Sequence, residues 1–443
     1  MMIPEGSYVT TMLDGTIKQI NPLTGTEVWS VPGRGAKPAP NVEQPLAKRL
    51  EPRPDSVPED YCNFCESRYW ATPAEKARLI WDGRSSRVLH RLLPREVRQT
   101  VALFRRIPNL FEIVTVDYWK KNYAYQLSSE NRAWRDRYLA DPDGRAHVMS
   151  IIETKLHHLG RTPEEVARIP EPEKLEMADA FFGGCHELII ARRHFKPGAQ
   201  FDSELVSSGE LCPVEHEAYF RFTVDAVEGI YASNPYVRYV AVFQNWLAPS
   251  GATFDHLHKQ LVGLDGWGSH LRAEIETLRR RPNLYNEAVV NLAKYSSRMI
   301  AENDHAVAFA DIGHQYPTIA IFSKSRHLRP SEHKPEELRG VSDLAHACHA
   351  AAGSGISCNE EWYSAPRDSI DRVPWHIYLK WRINTPAGFE GGTRIYINPM
   401  TPFELRDRMV PRLYELRLLG KIRNIRIAEE CSIEPNVLQF YRA

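Results

Sequence analysis

Apolar and polar positions follow two different patterns along the chain, and the change between them marks its organisation. Between residues 117 and 180 the sequence is charged and its apolar residues recur at helical spacing. An Asp-Pro-Asp-Gly segment at 141–144 interrupts this pattern and predicts a break between helices. We therefore expect a helical insertion over about 117–180.

Strand-like segments rich in β-branched and aromatic residues lie on both sides of the insertion. Before it, residues 98–116 predict a pair of strands interrupted at Pro108-Asn109. After it, the pattern predicts two strands followed by two helices. These elements are expected at 187–191 and 236–243 (strands) and at 268–281 and 286–302 (helices).

The same succession of strands and helices then starts again. Strands are predicted at 307–310, 318–322 and 376–382, and helices at 335–352 and 402–419. Strands followed by helices, twice over, indicate two related α+β units.

Residues 1–60 differ from both units because they are rich in Pro and Gly, with short strand-like pieces such as 27–31. We predict an extended N-terminal arm with little core of its own. The predicted domains are an arm at 1–60, a first unit at 61–285 that contains the insertion, and a second unit at 286–443.

Composition restricts the class of partner. The 443-residue chain carries 56 basic and 56 acidic residues, so its net charge of zero gives no general attraction to nucleic acid or to an anionic membrane. Its apolar runs are too short to span a bilayer, and its start lacks the basic and apolar stretches of a secretory signal. The seven cysteines are odd in number and scattered, which argues against a disulfide framework. We expect a cytoplasmic protein with no nucleic-acid or membrane partner.

Two cysteines, Cys62 and Cys65, are separated by two residues. This gap lets both thiolates reach one metal ion, and zinc prefers thiolate and imidazole ligands. The pair alone is weak evidence, because two ordinary thiols account for it equally well.

Two histidines, His256 and His258, lie near a group of residues suited to a phosphate chain. We expect the two rings to point to opposite sides of an extended backbone, with one facing a metal and the other a substrate. Two surface histidines in a loop are the alternative. Gly251 permits close backbone approach, Thr253 supplies a hydroxyl group and Gln260 an amide, which favours a phosphate site. A histidine attacks phosphorus when a neighbour fixes its tautomer and leaves one ring nitrogen free.

Segments across nearly the whole chain, apart from about 117–180 and the stretch after about 420, resemble one known family in the same order. They include Cys-Asn-Phe-Cys at 62–65 and Ser-Gly-Ala-Thr-Phe-Asp-His-Leu-His-Lys-Gln at 250–260. The other matching segments are 21–25, 32–38, 72–75, 107–111, 186–188 with His194, 242–245, 302–305, 387–393 and 396–399. Together they resemble the galactose-1-phosphate uridylyltransferases of the histidine triad superfamily.

The resemblance implies a fold and a metal. The implied fold is α+β, with two histidine-triad-like units that form a continuous antiparallel half-barrel sheet with helices packed on it. The implied cofactor is a structural zinc ion in a closed tetrahedron. Its ligands would be Cys62, Cys65, His194 and His256.

The resemblance also implies a reaction and a set of site residues. His258 would attack the α-phosphorus of a nucleoside-diphosphate sugar such as UDP-glucose, and a hexose 1-phosphate such as galactose 1-phosphate would then take the nucleotide. Gln260 would act with His258 at the phosphate. The implied substrate-binding residues are Arg34, Lys37, Asn109, Asn245, Gly251, Thr253, Lys259, Phe389 and Thr393. In the family the arm that carries Arg34 and Lys37 reaches across a dimer, so a homodimer is expected.

The chain departs from the family pattern at several positions. Lys259 replaces a small residue, and it is either a surface lysine or an added cation near the phosphates. Tyr363 and Pro374 stand where some members have histidines of a second metal site. We therefore predict no iron there and expect the remaining His376 to be packed or hydrogen-bonded. Arg394, near the region that faces the hexose in the family, makes the acceptor sugar an open question.

Three functions are compatible with these residues. The first is a hexose-1-phosphate nucleotidyltransferase of galactose metabolism. The second is a phosphorylase that uses inorganic phosphate as the acceptor, acting on dinucleoside polyphosphates or nucleotide sugars. The third is a non-catalytic, zinc-stabilised nucleotide-binding protein. The segment Phe389–Thr393 favours a sugar acceptor, and the presence of His258, Gln260 and Asn245 argues against the third function.

Overall fold

The structure is a computed structural model that describes residues 7–34, 47–51, 58–81, 85–432 and 434–438. These residues form the predicted α+β architecture. The strands are β1 (Val9–Thr11), β2 (Ile17–Ile20), β3 (Glu27–Ser30), β4 (Ala77–Trp81), β5 (Ser86–His90), β6 (Ala102–Pro108), β7 (His186–Ala191), β8 (Tyr239–Trp246), β9 (His258–Leu264), β10 (Met299–Glu302), β11 (Ala306–Ala310), β12 (Thr318–Ser323), β13 (Cys358–Tyr363), β14 (His376–Trp381), β15 (Ile395–Ile397) and β16 (Arg426–Ile427).

Thirteen α-helices accompany the strands in the described part of the chain. They are α1 (Pro94–Arg98), α2 (Val116–Tyr123), α3 (Ser129–Ala140), α4 (Pro142–His158), α5 (Pro163–Arg168), α6 (Glu171–Glu176), α7 (Asp179–Gly183), α8 (Pro213–Ser233), α9 (Gly268–Arg280), α10 (Asn291–Tyr295), α11 (Pro335–Ala352), α12 (Gly388–Thr393) and α13 (Pro402–Leu418). None of these helices combines the length and the apolar character needed to cross a membrane.

Twelve strands form one continuous sheet in the order β16-β10-β11-β12-β14-β13-β8-β9-β7-β6-β4-β5. Every pairing within it is antiparallel. Strands β4 to β9 occupy one end of the sheet, strands β10 to β14 with β16 occupy the other, and the two groups meet at the β8–β13 pair. The predicted continuous antiparallel sheet is therefore confirmed, while the division of the chain into two related units stays a prediction.

Helices cover one face of this sheet, which we call the helix-covered face. Phe104 of β6 stacks on Tyr219 of α8 with ring centroids 4.8 Å apart, and Phe220 of α8 lies 4.7 Å from the ring of Trp362 on β13. Because these contacts come from two consecutive residues of α8, the helix packs over the strands that lie between β6 and β13. Burial of these aromatic rings supplies much of the apolar area that holds the layers together.

The predicted helical insertion is confirmed. Helices α2 to α7 lie between β6 and β7, and those two strands pair directly with each other. Asp141 ends α3 and caps α4 through a hydrogen bond from the Gly144 backbone N–H (3.1 Å), which explains the predicted break. The insertion buries Trp119, Trp134 and Phe182 in the same apolar cluster as residues of the sheet, so it packs against the sheet and shares its core.

Three predicted elements were wrong in detail. Residues 98–116 form the single strand β6 rather than a strand pair, because the segment after Pro108 is held by backbone hydrogen bonds to His186. The helix predicted at 286–302 ends at Tyr295, since Met299–Glu302 pairs with β11 and β16. The arm is not merely extended: β1, β2 and β3 form a small sheet with β15, and Leu23 and Val28 are buried. Tertiary pairing overrode local pattern at these places.

Candidate metal cluster and active site

Four predicted metal ligands, Cys62, Cys65, His194 and His256, come together although they are far apart in the sequence. Their donor atoms all lie within 4.8 Å of one another. Cys62 Sγ is 3.9 Å from Cys65 Sγ and 3.5 Å from His256 Nδ1, and Cys65 Sγ is 3.4 Å from His194 Nδ1. The cluster lies between a loop before β4, the residues after β7 and the residues before β9.

These distances fit a zinc ion. Bond lengths of about 2.3 Å to sulfur and about 2.0 Å to nitrogen place tetrahedral donors about 3.8 Å apart for two sulfurs and about 3.6 Å apart for sulfur and nitrogen. His256 Nε2 lies 2.7 Å from the Ala191 carbonyl oxygen. If Nε2–H donates there, Nδ1 carries the lone pair that a metal needs. The donor set is two thiols and two imidazoles, which zinc prefers.

The ring of His258 is oriented by the backbone of His256. His258 Nδ1 lies 2.7 Å from the His256 carbonyl oxygen, so Nδ1–H donates and Nε2 carries the free lone pair. Nε2 has no hydrogen-bond partner among the described residues, and burial lowers the pKa of the ring to about 4. A neutral imidazole with a free Nε2 is the state that a nucleophilic histidine requires.

The expectation that His256 and His258 point to opposite sides was wrong. Both rings contact Phe64, with centroid distances of 6.3 Å and 5.3 Å. Residues two apart on an extended chain share a face. The metal cluster therefore lies beside His258 rather than behind it.

His258 and Gln260 share one face of the sheet with residues of β8 and β13, and we call this the pocket face. Gln260 is directly opposite Phe243, Phe243 is opposite Glu361, and Asn245 is opposite Asn359. Directly opposed residues of antiparallel strands lie on the same face. Asn359 is buried, but Gln260, Phe243, Glu361 and Asn245 are half-buried. The pocket face is therefore open to a ligand.

Gln260 is held by His186. The Ile113 backbone N–H donates to His186 Nδ1 (3.0 Å), so His186 Nε2 carries the proton and donates to Gln260 Oε1 (3.1 Å). The side-chain nitrogen of Asn109 lies 3.1 Å from the same His186 nitrogen. The Gln260 amide N–H groups are consequently free to donate toward the pocket. Asn109, the residue that follows β6, lies on the other side of the same His186 nitrogen.

Asn245 is held from the neighbouring strand. Its Oδ1 accepts a hydrogen bond from Asn359 Nδ2 (2.7 Å), while Arg382 donates to Asn359 Oδ1 (2.8 Å). Gly251 closes the turn beside them with a φ of +89°, and a Cβ atom there would be 3.9 Å from Asn245 Nδ2. The structure thus brings Gly251, Asn245, Gln260 and His258 to one region.

Lys259 does not lie on the pocket face. It alternates with His258 and Gln260 along β9, so its side chain enters the helix-covered face, where it is fully buried. Its Nζ lies 2.5 Å from Glu360 Oε1 and 4.7 Å from the centre of the Tyr219 ring. The expectation of a phosphate contact, and the alternative of a surface lysine, are both at odds with this placement.

The remaining predicted residues are less closely tied to His258. Thr253 is exposed and makes no hydrogen bond to another described residue. Phe389 and Thr393 lie on α12, where Thr393 Oγ1 donates to the Phe389 carbonyl oxygen (2.7 Å), and Arg34 is close enough to Glu390 of that helix to interact electrostatically. Within the described ranges, no hydrogen bond or ion pair joins this group to the pocket face. Lys37 lies outside the described residues.

Sequence reasoning missed three residues of the site: His186, Asn359 and Arg382. His186 was recognised only as the start of a strand, and nothing local marks Asn359 or Arg382. Their contacts with Gln260 and Asn245 depend on the register of β7, β9, β8 and β13. A correct register would have been the one signal able to find them.

Comparison with known proteins agrees with this architecture. A curated ADP-glucose phosphorylase from Arabidopsis thaliana is 23% identical over 186 residues, which is 40% of this chain and 53% of the relative, so the match spans about half of that relative's length. A crystal structure of an ADP-glucose phosphorylase from Arabidopsis thaliana, with bound ADP-glucose, is 16% identical with a TM-score of 0.56, over 89% of this chain and 97% of the other. A GalT-like protein from Arabidopsis thaliana gives 16% identity and a TM-score of 0.55, over 88% and 97%.

The two structures confirm the predicted resemblance at the level of the fold, which is that of GalT-like proteins. A family described as a domain of unknown function, DUF4921, matches residues 12–440. The chain therefore belongs to the DUF4921 family and has the GalT-like fold.

Proposed function

We propose that this protein transfers a nucleoside monophosphate from a nucleoside-diphosphate sugar to a phosphate-bearing acceptor through a covalent nucleotidyl-His258. One observation carries the proposal. His258 presents a free Nε2 beside the polar, half-exposed residues of the pocket face, while its Nδ1–H is held by the His256 carbonyl oxygen. The ADP-glucose phosphorylases among its relatives support a nucleotide sugar as the donor.

In the first step His258 Nε2 forms a bond to the α-phosphorus. The bond between that phosphorus and the bridging oxygen breaks, and the sugar 1-phosphate leaves with the electron pair. The imidazole becomes positively charged, and its Nδ1–H remains donated to the His256 carbonyl oxygen, which stabilises that charge. The Gln260 amide, oriented by His186, donates toward the phosphoryl oxygens, where negative charge develops.

In the second step an acceptor oxygen attacks the same phosphorus and the His258 N–P bond breaks. The ring recovers its neutral form with Nδ1 still protonated. We assign Asn245 and Asn109 to the nucleotide, and Gly251 and Thr253 to the phosphate chain. A hexose 1-phosphate is the first candidate acceptor, with UDP-glucose and galactose 1-phosphate as the substrates that the sequence resemblance suggests.

A second candidate is a phosphorylase, in which inorganic phosphate is the acceptor. One observation favours it: the curated relative is an ADP-glucose phosphorylase. Homodimer formation and the roles of Arg34, Lys37, Phe389 and Thr393 stay predictions.

Zinc would be held by Cys62, Cys65, His194 and His256 and would supply structural cross-linking of the three segments. These four residues would affect the reaction only by holding His258 in place. His256 contributes the carbonyl oxygen that orients His258, so a rigid cluster keeps Nε2 in place.

The covalent step is tested by incubating the protein separately with UDP-glucose and ADP-glucose labelled in the α-phosphate. We expect acid-labile, base-stable label on the wild-type protein and none on His258→Gly. Absence of label from every nucleotide sugar and dinucleotide tried would overturn both enzyme candidates and favour a non-catalytic binding protein.

The acceptor is tested on the isolated labelled protein. Release of label by a hexose 1-phosphate, but not by inorganic phosphate, supports the transferase. Release by inorganic phosphate as a nucleoside diphosphate supports the phosphorylase. The nucleotide sugar that labels the protein faster identifies the base that the donor site prefers.

A further inference from the structure

An ion pair with no assigned role lies directly behind the pocket face. Lys259 Nζ of β9 is 2.5 Å from Glu360 Oε1 of β13, and the two side chains are 0% and 1% exposed. The carboxylate is further held by His349 Nε2 (2.8 Å) and by the indole N–H of Trp362 (2.5 Å). Every oxygen of Glu360 therefore has a partner.

The pair spans three strands. Strand β8 lies between β9 and β13, and its Gln244 pairs with Glu360. Gln244 Oε1 lies 3.4 Å from Lys259 Nζ and accepts from Ser208 Oγ at 3.1 Å. Lys259, Gln244 and Glu360 thus form a polar bridge across the helix-covered face.

The same three strands carry the proposed site on their other face. Each bridge residue has neighbours in the chain that point into the pocket: His258 and Gln260 beside Lys259, Asn245 beside Gln244, and Asn359 beside Glu360. A shift of β9 against β13 would move the nucleophile and its amide relative to Asn245.

Stability alone is a poor reason for such a pair. Burying two charges costs free energy that their attraction repays only with good geometry, and well-packed apolar residues are often as stable. Burial by itself would raise the pKa of the Glu360 carboxyl, yet Lys259 and His349 hold that pKa below its usual range. The rings of Tyr219 and Phe220 lie 4.7 Å and 5.0 Å from Lys259 Nζ, so the ammonium is packed against aromatic rings as well as against the carboxylate.

We propose that the Lys259–Glu360 pair is a positioning device that sets the placement of His258 and Gln260 against Asn245 across three strands. This inference rests on the proposed nucleotidyl transfer. Misplacement of reacting groups by about 1 Å can slow a reaction by about 100-fold. Lys259 and Glu360 act through their neighbours and touch neither substrate nor reacting atoms.

The test compares single and double variants in single-turnover labelling by a nucleotide sugar. Lys259→Met leaves Glu360 buried without its cation, so we expect strong destabilisation. Adding Glu360→Gln removes the unpaired charge while retaining an acceptor and a similar shape. We expect the double variant to recover most of the wild-type melting temperature but to label at least about 10-fold more slowly. We expect a change in KM of less than about threefold, because the residues that contact substrate remain present.

Glu360→Gln alone, which keeps an acceptor oxygen for the Lys259 ammonium, is the second variant if the double variant does not fold, and labelling at least about fivefold slower is expected. Lys324→Met is the matched control. It removes Lys324, a half-buried cation 3.0 Å from the buried Glu302 of β10, which keeps Arg426 at 3.2 Å; β10 lies six strands from β9, about 29 Å along the sheet. This control is expected to lose stability and to label at the wild-type rate when folded.

The outcomes separate the two proposals. Wild-type labelling with a slow double variant supports positioning. Wild-type labelling with a double variant that recovers both stability and rate, or slowing that appears only as a raised KM, overturns positioning and leaves the proposed function intact. If the wild type takes no label, the proposed function and this inference fall together.

Discussion

Two histidines begin strands in the two halves of the large sheet, and their rings are held in the same way. His258 begins β9 and His376 begins β14. In each case Nδ1–H donates to the carbonyl oxygen two residues earlier, at 2.7 Å to His256 and 2.9 Å to Pro374. Burial lowers the pKa of both rings, to about 4 and about 3. By local geometry and protonation state alone, the two histidines are nearly equivalent.

Their surroundings differ. His376 is packed, as its sequence context predicts: its ring lies between Phe322 and Tyr363, with centroids 4.5 Å and 5.3 Å away. Its Nε2 is 3.5 Å from Glu274 and is fully buried. His258 instead faces Gln260 and the open pocket face, with the metal cluster beside it. A free ring nitrogen therefore becomes a nucleophile only where a phosphoryl group can reach it and donors surround that group.

The largest expected effect comes from replacing His258, the histidine of this pair that faces the pocket. His258→Ala should lower the rate of nucleotidyl transfer by at least about 10³-fold, because the covalent route is lost. The measurement is single-turnover labelling followed by peptide mapping of the wild-type label.

His376→Phe is the matched change in the other half, since a phenyl ring keeps the stacking between Phe322 and Tyr363. We expect labelling within about threefold of wild type. Label mapped to His376, or equal loss in both variants, would contradict the distinction between the two histidines.

The second effect concerns the metal cluster, which lies beside His258; among the described residues no such cluster lies beside His376. Cys62→Ser should abolish binding of one zinc ion per chain and lower the free energy of unfolding by on the order of 3 kcal/mol or more. Elemental analysis and urea unfolding measure both. Cys348→Ala is the control, because this buried thiol lies on α11 outside the cluster. Unchanged metal content in Cys62→Ser would refute the assigned ligand set.

The third effect tests the hydrogen-bond donor beside His258, which is the Gln260 amide held by His186. Gln260→Leu should lower the labelling rate by about 10² to 10³-fold, because a hydrogen-bond donor to the developing charge is removed. His186→Leu leaves that amide present but without its orienting partner, and about a 10-fold loss is expected. A His186→Leu protein as slow as Gln260→Leu would mean that His186 does more than orient the amide.

The last effect is on stability alone and concerns Glu274, whose carboxyl group lies 3.5 Å from His376 Nε2. Burial raises the pKa of Glu274 to about 8, although a hydrogen bond from Tyr285 opposes the shift. A folded-state pKa above the unfolded value of 4.5 means that the neutral carboxyl stabilises the fold fully below pH 4.5. That stability is lost as the pH rises toward about 8, at up to about 1.4 kcal/mol per pH unit.

Glu274→Gln should flatten this dependence, because the amide is neutral throughout. Urea unfolding at several pH values between 5 and about 8 measures it. An equal slope in variant and wild type would show that Glu274 ionises normally in the fold.

Much of the fold was predictable where the pattern is local. The insertion between β6 and β7, the helix at 335–352 and the strands β11, β12 and β14 follow from hydrophobic spacing and capping residues. Errors arose at 98–116 and 286–302, where an isolated segment suits more than one structure. Pairing with distant strands decided those cases.

The sequence by itself indicated the donor set of the metal cluster: the two-residue gap between Cys62 and Cys65 suggested a metal, and the family resemblance implied His194 and His256 as the other two ligands. It also pointed to His258 and Gln260 as one unit. Only the tertiary structure decided that Lys259, between those two residues, lies behind the site and joins Glu360. The physical reason is that side chains alternate across a strand, so the face a residue occupies depends on register with strands more than a hundred residues away.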